Sequence, residues 1–365
     1  MTVPVSDSLF QNDTPLLDVR APVEFARGAF PTAVNLPILD DTERQKVGIA
    51  YRHEGPEAAT ALGHRLVSGD VRDARVAAWV ALYEANPDLH LYCFRGGQRS
   101  AIAAQWLREA GIEIPRIEGG YKAMRTRLLG VFDALPRLIV VGGKTGVGKT
   151  GFLSRLPENA VVDLEQRANH RGSAFGKQLT PQPAQIDFEN AVAIDFLKAG
   201  RTVCVEDESR MIGACNLPLP LQEAMKQAPV LVVEDSLANR VERILEEYVV
   251  EAQHALACAH NDPDAAPSML HERLRSALDA IRKRLGGDRH REIGDDLSAA
   301  FEAHGDDALA RHRIWIEKLL VNYYDPMYDY QLERKAGRIA ARGDADEMVD
   351  LARTMILQME QGHHE

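Results

Sequence analysis

The sequence is poor in the residues that staple small folds, cross membranes or make a chain basic throughout. Its 365 residues include four cysteines, Cys93, Cys204, Cys215 and Cys258, and no two of them stand at zinc-knuckle spacing. Four thiols in a chain of this length make no disulfide framework, so a reduced, intracellular protein is expected. No apolar run approaches the ~20 residues needed to span a bilayer. The opening "MTVPVSDSLF" lacks the charged-then-apolar pattern of an export signal. We therefore expect a soluble, cytoplasmic protein with no membrane partner. Positive charge is also short: 43 Lys and Arg against 54 Asp and Glu give a formal net charge of -11. That weighs against a chain basic all over, but a local basic face remains open, because binding follows the patch and not the sum. Internal repeats and low-complexity tracts are absent.

What is present is an ordinary apolar content of 45% and a length that suits two domains. Short apolar runs, "TPLLDVR" (14–20) and "LHLYC" (89–93), read as buried strands. Helical periodicity marks "DARVAAWVALYEAN" (73–86) and "SAIAAQWLREAG" (100–111). The alternation predicts a small parallel-sheet α/β domain over 5–125. A second series of apolar runs, "RLIVVGG", "AVVDLE", "TVCVEDES" and "PVLVVEDS", predicts another parallel sheet over 130–236. From Leu237 to residue 365 amphipathic helical stripes predominate and predict a helical extension. The joining stretch "GGYKAMRTRLLGVFDALP" (119–136) reads as packed helix, not as flexible linker.

The first chemical feature is "YCFRGGQRS" (92–100). A strand ends at Cys93 and a helix begins near Ser100. Gly96 and Gly97 let the backbone fold tightly and turn N–H groups inward, with Gln98 and Ser100 completing an anion loop. The helix N-terminus and the guanidinium groups of Arg95 and Arg99 add positive potential. Such surroundings favour a thiolate and bind an anion directly above it, so a nucleophilic cysteine acting on an anionic substrate is expected. The alternative is a packing cysteine beside surface ion pairs, which would not need the Gly-Gly-Gln-Arg-Ser sequence. The remaining three cysteines read as packing residues.

The second feature is "GGKTGVGKT" (142–150), a G-x-x-x-x-G-K-T sequence between an apolar strand and a helix. Gly143, Lys144, Thr145, Gly146, Val147 and Gly148 would wrap a diphosphate with backbone N–H groups. Lys149 would neutralise its oxygens, and Thr150 is the candidate for holding Mg²⁺. Nothing in this loop reads a nucleotide base, so any diphosphate ester satisfies it. Glu206, Asp207 and Glu208 in "CVEDES" are candidates for positioning metal or water, or form a solvated strand end.

"LLDVRAPVEFARGAFPTAVNLPI" (16–38) resembles the opening of a rhodanese domain, the sulfurtransferase module, through Asp18, Arg20, Glu24, Phe25, Gly28, Pro31, Asn35 and Pro37. Cys93-x5-Arg99 is a longer loop than many rhodaneses carry. It matches the spacing of the cysteine phosphatases of the same fold and suits a tetrahedral, phosphate-like donor, although Tyr92 stands where phosphatases usually have histidine. Beyond these two motifs the chain resembles the tRNA 2-selenouridine synthases, through "IEGGYKAMR" (117–125), "DLEQRANHRGSAFG" (163–176), "QPAQIDFEN" (182–190), "VEDESRMIG" (205–213) and "YYDPMYDYQ" (323–331). The fold implied is an N-terminal rhodanese-like parallel-sheet domain, then a P-loop parallel-sheet domain with a helical C-terminal extension.

That resemblance implies an enzyme acting on tRNA of the Lys, Glu and Gln type, which replaces the sulfur of wobble 2-thiouridine with selenium. Selenophosphate from a separate source would supply the selenium. Geranyl diphosphate would first alkylate the sulfur to make a leaving group. No tightly bound cofactor is expected, with Mg²⁺ the one candidate ion. Cys93 would carry selenium as a selanyl group or hold selenophosphate. The P-loop would hold geranyl diphosphate, the reading we favour, or ATP or GTP. Asp163, Asn169, His170 and Arg171 either contact substrate or form a turn. Tyr323, Tyr324, Tyr328 and Tyr330 either meet a base or prenyl chain or pack in the core. Basic clusters at Lys122, Arg125 and Arg127, at 282–291 and at 334–342 either form a tRNA face or solvate helices. The rivals are a sulfurtransferase fused to an ATP- or GTP-binding domain without RNA substrate, a cysteine phosphatase, and a binding module built on a degenerate rhodanese.

Overall fold

The computed structural model describes residues 1–361 and divides into two compact units, residues 1–134 with 183–198, and 135–182 with 199–365. In the first, strands β1 (Thr2–Val3), β2 (Leu16–Asp18), β3 (Ala33–Asn35), β4 (His90–Tyr92) and β5 (Arg116–Ile117) form a parallel sheet of order β1-β5-β4-β2-β3. Leu16 stands beside His90 and Asp18 beside Tyr92, so β2 and β4 end level and Cys93 emerges at the sheet's C-terminal edge. Parallel strands need crossovers, and helices Asp41–Glu54, Pro56–Leu66 and Gly69–Ala85 supply the one between β3 and β4. Leu17, Leu91, Trp79, Ala103 and Leu107 are fully buried in the core between sheet and helices.

The segment 119–134 is helical and packed as expected: helix Gly120–Leu129 and the short turn Gly130–Ala134 bury Met124, Leu128, Val131 and Phe132. One piece of the predicted P-loop region also belongs to this unit. Helix Gln185–Lys198 lies within 130–236 in sequence, yet its side chains pair with the first unit. Asp187 accepts the Ala29 N–H at 2.6 Å, Asn190 donates to the Ala29 carbonyl at 2.6 Å, and Glu189 pairs with Arg125. The acidic and amide side chains of "QPAQIDFEN" thus serve the packing of the first unit.

In the second unit β6 (Arg137–Gly142), β7 (Thr202–Glu206), β10 (Val230–Val233) and β11 (Ile339–Gly343) form a parallel sheet of order β11-β10-β6-β7; β8 (Met211–Ile212) and β9 (Cys215–Asn216) make a small antiparallel pair. Two expectations are corrected. "AVVDLE" is not a full strand, because after a single bridge from Val161 to Cys204 the chain turns at Asp163 to cap helix Leu164–Arg167. The region after Leu237 is not purely helical, because Ile339–Gly343 pairs with β10 as an edge strand. Its alternating half-buried and exposed residues satisfy a sheet edge without the apolar run a central strand needs. The helices of 237–334 gather their own core around Leu270, Leu278, Ile281, Leu297 and Trp315. No helix among the described residues is long and apolar enough to cross a membrane.

Candidate functional site

Two glycines, Gly96 and Gly120, hold the cysteine loop in a form a side chain would disrupt, whereas the Gly97 expected to share that role has open space and a φ of -91°. Gly96 has φ +63°, and a Cβ on it would sit 2.7 Å from the Gly119 nitrogen. Gly120 has φ +55°, and a Cβ there would sit 2.1 Å from the Cys93 carbonyl oxygen. Two bonds lock this approach: the Tyr121 N–H donates to the Cys93 carbonyl at 2.9 Å and the Lys122 N–H to Phe94 at 3.0 Å. "IEGGYKAMR" is therefore the second wall of the cysteine loop. The Cys93 thiol is buried and donates to the Ser100 hydroxyl at 3.2 Å, which in turn donates to the Gly97 carbonyl.

The helix behind the loop begins at Gln98, two residues earlier than expected, so Arg99 lies in its first turn. Arg99 is not a free anion ligand. It makes a two-pronged pair with Glu24, at 2.5 and 3.1 Å, and Arg44 joins the same carboxylate at 3.1 Å. Burial works against the Glu24 carboxylate, but the Arg99 guanidinium outweighs it and holds the group below its usual range. Arg95 is exposed at the mouth, over the Phe94 ring. Gln98 donates to Thr60 at 2.7 Å and so ties the loop to the helical crossover. Asp18 and Arg20 of the rhodanese-like opening are a fully buried ion pair at 2.6 Å. The Arg20 guanidinium lies 3.9 Å from the centre of the Tyr121 ring, which makes this pair a scaffold under the loop.

In the second unit the phosphate loop leaves the C-terminal edge of β6. Gly143, Gly146 and Gly148 take φ of +144°, +83° and +84°. A Cβ at Gly143 would lie 2.5 Å from the Val233 carbonyl. Val147 points into the core. Lys149 is partly buried, 5.6 Å above the Tyr328 ring. Burial opposes its charge, but Tyr328, Glu165, Glu208 and Asp207 together raise its pKa above the ordinary value, so it is a fixed ammonium. Lys144 pairs with Asp329 at 3.0 Å.

Two arginines outside the motif clasp the loop. Arg240 is buried, donates to the Thr145 carbonyl at 2.9 Å and pairs with Asp325 at 2.5 and 3.0 Å. Arg243 donates to the Gly146 carbonyl and pairs with Asp235 at 2.9 Å.

The acidic edge of β7 is not a solvated strand end. Glu206 is buried and accepts the Leu164 N–H at 3.0 Å. Burial, with the nearby Asp163 carboxylate, pushes its pKa well up; burial and Glu165 do the same to Glu208. Asp207 is engaged by Lys335 at 2.5 and 2.6 Å. Thr150 is exposed. Among the described residues no three His, Cys, Asp or Glu side chains gather as a metal cage. A Mg²⁺ here would rest on the Thr150 hydroxyl and on oxygens of the bound phosphate, with Asp207 already held by a lysine.

Of the loop residues, Asn169 and Asp163 are structural. Asn169, at φ +47°, ties the turn to Thr180 and Pro181, and Asp163 caps its helix by accepting the Gln166 N–H at 2.7 Å. Arg171 pairs with Glu247 at 2.9 Å and lies over the Tyr248 ring. Burial lowers the His170 pKa, which leaves the ring neutral at pH 7.

Beside Thr145 lies a small apolar cavity of about 20 Å³, lined by Phe175, Ile244, Tyr248, Trp315, Leu319 and Tyr324 among others. Tyr248 and Tyr324 reach it from two π-helical turns, Glu246–Val250 and Leu320–Tyr324, a local geometry frequent at functional sites. Of the four tyrosines, Tyr324 lines this cavity, Tyr328 faces Lys149, Tyr323 packs edge-on to Tyr324, and Tyr330 is 61% exposed.

The profile described as "tRNA 2-selenouridine synthase AAA domain" matches residues 136–359, and the rhodanese-like domain profile matches 5–126. The chain belongs to the tRNA 2-selenouridine synthase family. Relatives bearing that family name are 51% identical in Pseudomonas syringae pv. syringae (94% of this chain, 95% of the relative). They are 51% identical in Bordetella bronchiseptica (95% and 96%) and 52% identical in Pseudomonas putida strain GB-1 (93% and 94%).

Arg240, Arg243 and Asp325 around the P-loop, and Lys335 on Asp207, were not picked out from the sequence for these roles. Only "NRVER", two residues after the "VEDS" strand end, hinted at the two arginines. It also erred on Cys258, which is exposed and not a packing residue; Cys204 and Cys215 are buried, and burial pushes the Cys204 thiol up to about 12. Much of the basic charge is already engaged. Arg127 pairs with Asp7, Arg338 donates to the carbonyls of Met225 and Ala228, and Arg342 pairs with Glu234. Arg282, Lys283 and Arg284 remain exposed together.

Proposed function

We propose that this protein replaces the sulfur of wobble 2-thiouridine in tRNA with selenium from selenophosphate, through an S-geranylated base made from geranyl diphosphate. The observation that carries this reading is the apolar, aromatic cavity that shares Thr145 with the phosphate loop. A diphosphate cradle flanked by a mainly apolar, aromatic cluster suits a prenyl diphosphate.

In the first step the thiocarbonyl sulfur attacks C1 of the geranyl chain. A carbon–sulfur bond forms, the carbon–oxygen bond breaks, the electron pair leaves with diphosphate, and the ring N3–H proton passes to water. Loop N–H groups and the Lys149 ammonium stabilise the charge gathering on the departing oxygens. Arg240 and Arg243 hold the loop carbonyls turned away from it. Thr150 would hold Mg²⁺ where that ion is used, and it would then help neutralise the diphosphate. In the second step selenium attacks C2 of the ring and geranyl thiolate leaves. Water then releases phosphate from selenium. The Cys93 loop is the site we assign to selenophosphate, with Arg95, Gly97 and Gln98 at its mouth.

The test is mass analysis of a 2-thiouridine anticodon-stem RNA incubated with geranyl diphosphate, alone and with selenophosphate. A geranyl gain in the first sample and sulfur-to-selenium exchange in the second are expected. Lys149→Ala should abolish geranylation. Cys93→Ser should stop selenation and leave geranylation intact. If Lys149→Ala geranylates normally, the P-loop holds something else; if Cys93→Ser stops both steps, the two-centre assignment fails.

A further inference from the structure

The cysteine unit holds a second cavity that its anionic chemistry does not need. Helices Asp41–Glu54 and Pro56–Leu66 fold back as a hairpin against the helix Gln98–Glu109. Between them lies a space of about 110 Å³, walled by Ile38, Val47, Ala59, Gly63, Ile102 and Trp106 among others. Five residues, Leu39, Val47, Tyr51, Gln98 and Arg99, line both this space and the mouth above Cys93. The two are thus adjacent across a shared wall, with the charged groups at the thiol and the apolar ones behind it. The space is not a packing accident of large side chains. Gly63 faces it, with Val47 the only neighbour near a would-be Cβ, at 3.9 Å. The Gln98–Thr60 bond at 2.7 Å holds the hairpin to the loop, so the walls are tied together.

Selenophosphate is small and wholly hydrophilic, and it would be satisfied by the mouth alone. An apolar pocket set beside the anion-binding mouth suits a molecule that brings a hydrocarbon arm to the cysteine loop. We infer that this hairpin pocket holds the geranyl arm of the S-geranylated base while its sulfur is displaced; the inference rests on the S-geranyl reading above. Binding the arm sets C2 of the ring over the mouth, so that energy from a group remote from the reacting carbon is used for orientation. The bonds balance without a further reagent. A C–Se bond forms at C2, the C–S bond breaks, and the electron pair leaves on geranyl thiolate, which keeps its arm in the pocket until release.

The test uses the full-length protein, selenophosphate and two synthetic RNA hairpins, one carrying S-geranyl-2-thiouridine and one S-methyl-2-thiouridine. Supplying the alkylated base ready-made bypasses the P-loop step. Wild-type kcat/KM should favour the geranyl hairpin by at least about a hundredfold, since most of the ten-carbon arm is lost in the methyl analogue. Val47→Trp fills the pocket and should bring the ratio below about tenfold. Tyr51→Ala, at a rim position 60% exposed and so harmless to the fold, should lower the ratio at least about fivefold. A wild-type ratio near one overturns the inference, as does a ratio that neither variant moves. No selenation of the geranyl hairpin at all overturns instead the S-geranyl reading on which it rests.

Discussion

Replacing Arg240 by methionine should loosen the phosphate loop by an amount that can be worked from its contacts. The side chains of Arg240 and Asp325 are 4% and 17% exposed and share two bonds at 2.5 and 3.0 Å. Removing one partner of such a pair leaves a poorly solvated charge and costs ~3–5 kcal/mol. Asp325 keeps Lys144 at 3.9 Å as a second cation, which argues for the lower end. The bond to the Thr145 carbonyl adds about 1–2 kcal/mol. A loss of about 4 kcal/mol is expected, read locally as the opening free energy of β6 and β10 amides in native-state hydrogen exchange. Asp325→Leu alone should cost about 3 kcal/mol. The double variant should cost at least about 2 kcal/mol less than the sum, because no charge is then stranded. KM for geranyl diphosphate should rise at least about tenfold in Arg240→Met. If the two single losses add within about 0.5 kcal/mol, the pair carries no coupling and the clasp is not what shapes the loop.

Other expectations are as direct. Gly120→Ala places a methyl 2.1 Å from the Cys93 carbonyl and should lower selenation at least about a hundredfold with geranylation retained, whereas Gly97→Ala, which meets nothing within 4 Å, should fold normally, as melting curves would record. Glu206→Gln should be more stable than wild type at pH 8. The folded-state pKa of Glu206 is raised, so its ionisation costs stability above that value; the gain should fade as pH falls toward the unfolded value near ~4.3, and urea titrations at pH 4 and 8 would test it. Glu24 has the opposite sign. Its lowered pKa stabilises the fold above ~4.3 and is lost as pH falls through the depressed folded value. Glu24→Gln should therefore cost about 1–2 kcal/mol at pH 7 and nothing near the acid limit in the same titration.

The sequence by itself determined the two glycine-rich loops. "YCFRGGQRS" and "GGKTGVGKT" are contiguous strand–loop–helix segments whose glycines and charged residues stand together in the chain, so the loops were legible although distant Gly120, Arg240 and Arg243 lock them. The central strands were legible for the same reason, as apolar runs buried on both faces. Tertiary structure alone decided what each charged side chain does. Arg99 looked like an anion ligand until the fold set Glu24, 75 positions away, against it. Asp207 looked like a metal ligand until Lys335, 128 positions on, engaged it. Edge strand Ile339–Gly343 was hidden because an edge needs only half its residues covered. Both apolar cavities were invisible because their linings, Trp315 and Tyr324 in one and Val47 and Trp106 in the other, have the residue types of core. Whether such side chains fill a space or surround one depends on how distant helices meet, and that is set by packing across the chain.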